Sequence, residues 1–157
     1  MRILGLDIGM KRTGVALSDT LGISVRALDN ISPRPRREDD IQAVLALCEA
    51  YEVEAVVVGY PLMPQSGDEG PMGRRCRRFA QVLAYVALQK DKNLPVFLVD
   101  ERNSSKDAQA RLVESGIKKS KRKAALDSEA ARVMVETFLS MSEDARDPAV
   151  EPSNTPD

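Results

Sequence analysis

Three short runs rich in Ile, Val and Leu open the chain, Arg2 to Ile8, Thr13 to Ser18 and Ile23 to Ile31, separated by the glycine-containing turns Gly9–Met10–Lys11–Arg12 and Leu21–Gly22. This pattern predicts an antiparallel three-stranded meander. From Glu38 to Tyr51 the apolar residues fall at Ile41, Val44, Leu45, Cys48 and Tyr51, the buried stripe of an amphipathic helix. Glu54 to Gly59 is then almost continuously β-branched, as in a parallel strand covered on both faces. A Pro- and Gly-rich loop from Tyr60 to Gly70 leads to a helix from about Pro71, with Phe79, Val82, Leu83 and Val86 on one stripe. Pro95 to Val99 reads as a second buried strand delivering Asp100, Glu101 and Arg102 at its end. Ser104 or Ser105 can cap a helix that stops near Gly116, and a last helix is expected from about Ala124, with Leu126, Ala130, Val133, Thr137 and Phe138 inward.

The expected fold is α/β, a mixed five-stranded sheet with helices on both faces. The 157 residues suit one domain, expected at residues 1–141, followed by a Pro-rich tail at 142–157 without an apolar stripe and read as disordered. The net charge of −1 hides an asymmetry. The tail holds five acids against Arg146, whereas the body carries 22 basic and 19 acidic residues, or +3. Two cysteines, Cys48 and Cys76, argue against a disulfide framework and fit a reducing compartment, so a cytoplasmic location with no membrane association is expected. The chain has no histidine, which removes Ser-His-Asp, Cys-His and His-ligated zinc chemistry together. Any metal or acid-base work falls to carboxylates.

Three acids stand where they could do such work. Asp7 lies at the end of the first strand beside Gly9 and the basic turn, Glu101 ends the fifth strand, and Asp127 opens the last helix just before the small residues Ala130 and Ala131. Singly, each has an ordinary role open to it as a cap, turn or salt-bridge acid. Converging, they would repel one another without a cation, and hard oxygen ligands suit Mg²⁺ or Mn²⁺.

The segments GLDIGMKRTGVALSD, VVVGYPLMPQSGDEGP with FAQVL, VDERNSS and LDSEAARVMVETFL occur in order, and together they resemble the YqgF family of pre-16S ribosomal RNA nucleases, relatives of the RuvC Holliday-junction resolvases. The resemblance spans about Met1 to Leu139. It implies a ribonuclease H-like fold and metal-dependent endonucleolytic hydrolysis of phosphodiesters, with processing of the 5′ end of pre-16S ribosomal RNA. It also implies that Asp7, Glu101 and Asp127 are the catalytic, metal-binding carboxylates. Two places depart from the family pattern: Asn103–Ser104–Ser105 stand where a Leu and two Thr are usual, and the loop after G-x-P reads Met63–Pro64–Gln65–Ser66–Gly67. The acids survive both changes, which bear on substrate contacts in those loops.

Basic residues cluster at Arg34/Arg36/Arg37, at Arg74/Arg75/Arg77/Arg78 and at Lys118/Lys119/Lys121/Arg122/Lys123. The third cluster precedes Asp127 and is read as a flexible loop, Gly116 to Ala124, that neutralises phosphates at the mouth of the site. Lys11, Arg12 and Arg102 beside the acids are expected to share that work. Structured RNA or branched DNA is the expected partner, within a ribosomal particle in the RNA case. No aromatic residue sits inside a basic run, so backbone recognition is favoured over base stacking. Three rivals remain: a Holliday-junction resolvase, a non-catalytic RNA-binding module of the same fold, and the phosphate-binding hairpin of actin-like ATPases, which D-x-G also resembles. The ATPases bind nucleotide between two such domains, and this chain supplies one.

Overall fold

The computed structural model describes residues 1–32, 36–61, 66–100, 119–141 and Arg146, with 119–128 described in backbone only. Five strands, β1 (Ile3–Ile8), β2 (Thr13–Ser18), β3 (Val25–Ile31), β4 (Ala55–Tyr60) and β5 (Val96–Asp100), form one sheet of order β3-β2-β1-β4-β5. The meander is antiparallel, with Leu4 opposite Leu17 and Ala16 opposite Ala27, while β4 lies parallel to both β1 and β5. The parallel strands β1, β4 and β5 therefore deliver their C-terminal ends to the same edge of the sheet.

Helices α1 (Arg37–Ala50) and α2 (Pro71–Gln89) cover one face. Their buried residues Ile41, Val44, Leu45, Phe79 and Leu83 join Leu4, Leu6, Val15, Leu17, Val56 and Val58 in one core. Helix α3 (Lys119–Ser140) covers the other face, where Ala131, Met134, Val135 and Phe138 pack on Ile3, Ala16, Val57 and Val99. Phe97 and Phe138 meet with ring centroids 5.0 Å apart, tying α3 to β5. Alternation along each strand divides the two cores, so a residue's parity decides which helices it faces.

The last helix departs from the sequence expectation in two ways. It already includes Lys119, five residues before Ala124, so the basic residues from Lys119 to Lys123 belong to a helix rather than a flexible loop. Lys, Arg and Ala are strong helix formers, and that propensity outweighs the repulsion of like charges that suggested a loop. Its sheet-facing stripe also runs through 131, 134, 135 and 138. Thr137 is exposed, and its hydroxyl donates to the Val133 carbonyl at 2.9 Å. Ala130 and Val133 are buried as expected, though in a separate small cluster.

The helix expected between Ser104 and Gly116 lies outside the described residues, as does the tail apart from Arg146. That arginine is half-buried, with its guanidinium carbon 4.5 Å from the Phe138 ring centroid. Cys48 and Cys76 are both core residues, and burial pushes the Cys48 thiol up to about 12.

Candidate active site

Asp7 shares its strand parity with Ile3 and Gly5, so it stands on the α3 face of the sheet. Directly opposite it on β2 is Gly14. On the other side Leu6 pairs with Val58, and continuing that register by one residue puts Gly59 beside it. Both lateral neighbours of this carboxylate therefore lack a Cβ, so no side chain of β2 or β4 stands directly beside it.

Helix α3 crosses this face of the sheet. A Cβ built on Gly5 would lie 2.1 Å from Val135 Cγ2 and 3.3 Å from the Ala131 carbonyl oxygen, so Gly5 is the contact that lets the helix approach β1. The far end of α3 is fixed by Leu139, whose Cδ2 would be 3.3 Å from a Cβ on Gly22, in the β2–β3 turn. That turn lies at the edge where β1 begins, so α3 runs antiparallel to β1 and its N-terminal half points toward the Asp7 end. From Gly5 to Asp7 the strand advances roughly 6.6 Å. From Ala131 back to Asp127 the helix retreats about 6 Å in the same direction. Position 127 also precedes 131, 134 and 138 at the spacing of the sheet-facing stripe.

The turn after β1 is tight. The Gly9 amide donates to the Arg12 carbonyl at 3.0 Å, and a Cβ on Gly9 would sit 2.6 Å from that same oxygen, so only glycine fits. Met10 and Lys11 are left exposed at the tip, with Arg12 half-buried. Arg75 of α2 reaches across and donates from Nη1 to the Met10 sulfur at 2.8 Å.

A polar cluster unseen in the sequence closes the end of β4. The Tyr60 hydroxyl donates to Glu69 Oε1 at 2.8 Å, and Arg77 Nε donates to the same oxygen at 2.7 Å. The Arg77 hydrogen bond, then that of Tyr60, hold the Glu69 carboxyl below its ordinary value, while burial and the bond to Glu69 raise the Tyr60 hydroxyl. The three residues pin the β4–α2 loop to α2. Arg77 reads in sequence as one base of a run of four; a Glu eight residues upstream was the available signal, without periodicity to single it out.

Among the expected site residues, Glu101, Arg102 and Lys118 lie outside the described residues. Glu101 directly follows the last residue of β5. Lys119, Lys121, Arg122 and Lys123 occupy the first turns of α3. No group of three Cys, Asp or Glu side chains among the described residues is placed to hold a metal ion. The described part of the site is compatible with one in its chemistry, since Asp7 supplies a hard carboxylate oxygen and neither strand neighbour places a side chain directly beside it.

The family model described as RuvX, Holliday junction resolvase, matches residues 1–141. The chain belongs to the RuvX family. A relative from a Geobacillus species, named "Putative pre-16S rRNA nuclease", is 36% identical over 140 residues, 88% of this chain and 97% of its own. Another of the same name, from Halothermothrix orenii, is 37% identical over 139 residues, 88% of this chain and 94% of its own. Among solved structures, Thermus thermophilus RuvC in complex with a Holliday junction substrate aligns with a TM-score of 0.58 at 18% identity, covering 90% of this chain and 98% of that one. That likeness establishes the RuvC-like, ribonuclease H-like fold. The RuvX match covers every described residue except Arg146. Among the described residues no helix is long and apolar enough to cross a membrane.

Proposed function

We propose that this protein is a metal-dependent endonuclease that hydrolyses phosphodiesters of structured RNA, processing the 5′ end of pre-16S ribosomal RNA in the cytoplasm. The observation that carries the reading is Asp7 between two glycine positions of the neighbouring strands, at the edge where β1, β4 and β5 end and where α3 approaches. The RuvX relatives named for pre-16S rRNA favour RNA as the substrate.

In this reading Asp7, Glu101 and Asp127 hold Mg²⁺ or Mn²⁺. Bound there, the metal supplies Lewis-acid stabilisation of the developing phosphorane charge and lowers the pKa of an attacking water. The carboxylates fix the geometry. Asp7 is set by a strand paired on both sides, and Asp127 by a helix anchored at Gly5. Lys119, Lys121, Arg122 and Lys123 in the first turns of α3, with Lys118 and Arg102 nearby in sequence, hold substrate phosphates beside that centre. Water attacks the phosphorus in line with the leaving oxygen, which departs with a proton from solvent.

The test is cleavage of a precursor 16S RNA fragment with Mn²⁺ or Mg²⁺, with EDTA and the Asp7→Asn, Glu101→Gln and Asp127→Asn proteins as controls. Each substitution should abolish cleavage and leave the melting temperature at or above that of wild type in EDTA, because clustered carboxylates repel without metal. Cleavage by Asp7→Asn at the wild-type rate would remove the carrying observation. The family description favours one second reading, resolution of DNA junctions, and a four-way DNA junction assayed in parallel separates the two.

A further inference from the structure

The basic clusters are not equivalent once folded. At the start of α1, Arg36 pairs with Asp39 at 3.8 Å, and Glu38, Asp39 and Asp40 fill the helix's first turn, so that cluster carries its own counter-charges. The first turn of α2 contains no acid. Its nearest upstream carboxylate, Glu69, is engaged by Arg77 and Tyr60. Arg74 and Arg75 are exposed there, and the contact with Met10 brings Arg75 against the β1–β2 turn with exposed Lys11, while Arg74, its neighbour in sequence, lies close enough to Glu69 to help lower its pKa. Across residues 9–12 and 66–78 there are six bases, Lys11, Arg12, Arg74, Arg75, Arg77 and Arg78, and two acids, Asp68 and Glu69. Met10 is three residues beyond Asp7, no more than about 11 Å along the chain.

We propose that Lys11, Arg74 and Arg75 form an electropositive ridge, assembled from the β1–β2 turn and α2, that holds the phosphodiester backbone of structured RNA on the α2 side of the cleavage centre. The proposal rests on the nuclease reading above and adds a second track to it, on the side of the sheet opposite α3. Charge complementarity selects a polyanion, and exposed guanidinium groups suit phosphate oxygens, which they can grip in pairs. Tyr60, beside Gly73, is half-buried with its hydroxyl bound to Glu69, and Phe79, one turn beyond Arg75, is buried in the core, so contact is to the backbone and not by base stacking. Arg77 stays out of the ridge because it holds the loop.

Binding of a fluorescent RNA hairpin carrying a precursor 16S 5′ junction, followed by anisotropy in EDTA, tests this without requiring turnover. Arg74→Gln/Arg75→Gln should weaken binding on the order of tenfold to a hundredfold at about 50 mM salt and reduce the slope of log K against log salt by roughly 1.4 to 1.8. Arg74→Lys/Arg75→Lys should recover most of that loss, and Arg36→Gln/Arg37→Gln should change nothing. A Gln pair that binds within twofold of wild type with an unchanged slope overturns the ridge. So does a loss confined to four-way junction DNA, or a wild-type protein that binds no RNA. A wild type that binds RNA through the ridge but never cleaves it defeats the nuclease reading alone.

Discussion

Replacing Gly5 with Ala adds one methyl group at the place where α3 lies closest to the sheet. Carbon atoms in contact sit at about 3.5 to 4.0 Å, so a methyl 2.1 Å from Val135 Cγ2 overlaps it by roughly 1.5 Å. Val135 is fully buried and β-branched on a helix, where one rotamer dominates, so it cannot swing aside. The Ala131 carbonyl, 3.3 Å from the new atom, is backbone and moves only with the helix. Overpacking of this kind costs about 1 to 3 kcal/mol, offset by the ~0.4 to 1 kcal/mol that Gly→Ala gains by restricting the unfolded chain. Urea denaturation should therefore show a loss of about 1 to 2 kcal/mol, or roughly 2 to 8 °C in Tm for a domain of this size. Because α3 carries Asp127, a shift of ~1 Å should lower cleavage on the order of 100-fold at temperatures where the protein remains folded. Adding Val135→Ala removes the 2.1 Å overlap, so Gly5→Ala should cost less in that background than in wild type. Gly5→Ala at wild-type stability, or two changes that add within about 0.5 kcal/mol, would refute the close approach of α3 to β1.

Glu69 gives a pH signature. Its folded pKa is depressed, so its contribution is present above the ordinary value of 4.5 and is lost as pH falls through the lower folded value. Between about pH 6 and about pH 3 the wild-type urea midpoint should fall more steeply than that of Glu69→Gln, and parallel profiles would show that the Tyr60–Glu69–Arg77 link adds no stability. At the other end of the chain, Arg146→Ala should lose about 0.5 to 1 kcal/mol through its stacking on Phe138. Truncation after Met141 should lose the same amount and truncation after Arg146 nothing, whereas equal melting temperatures for the two truncations would show that the stacking contributes no stability.

The strands and helices were legible because each signal is local. The β-branched run before Gly59 and the spacing of Ile41, Val44, Leu45 and Cys48 report burial through a period that the backbone itself imposes. The ordered motifs also identified the family and nominated Asp7, Glu101 and Asp127. Local signals fail where two readings differ by one residue or one turn. The inward stripe of α3 differs from the sequence expectation at Thr137, because small and polar residues on a helix leave its rotation to the partner surface, and here Gly5 and Phe97 set it. The extent of α3 differs from the sequence expectation at Lys119 to Lys123, where helix propensity and charge repulsion oppose each other. What only the tertiary structure decided are the juxtapositions: Gly14 and Gly59 flanking Asp7, Glu69 shared by Tyr60 and Arg77, and Arg75 meeting Met10 from 65 residues away. None has a period to read, since each depends on the register and order of strands far apart in sequence, and these are set by the burial of two whole cores.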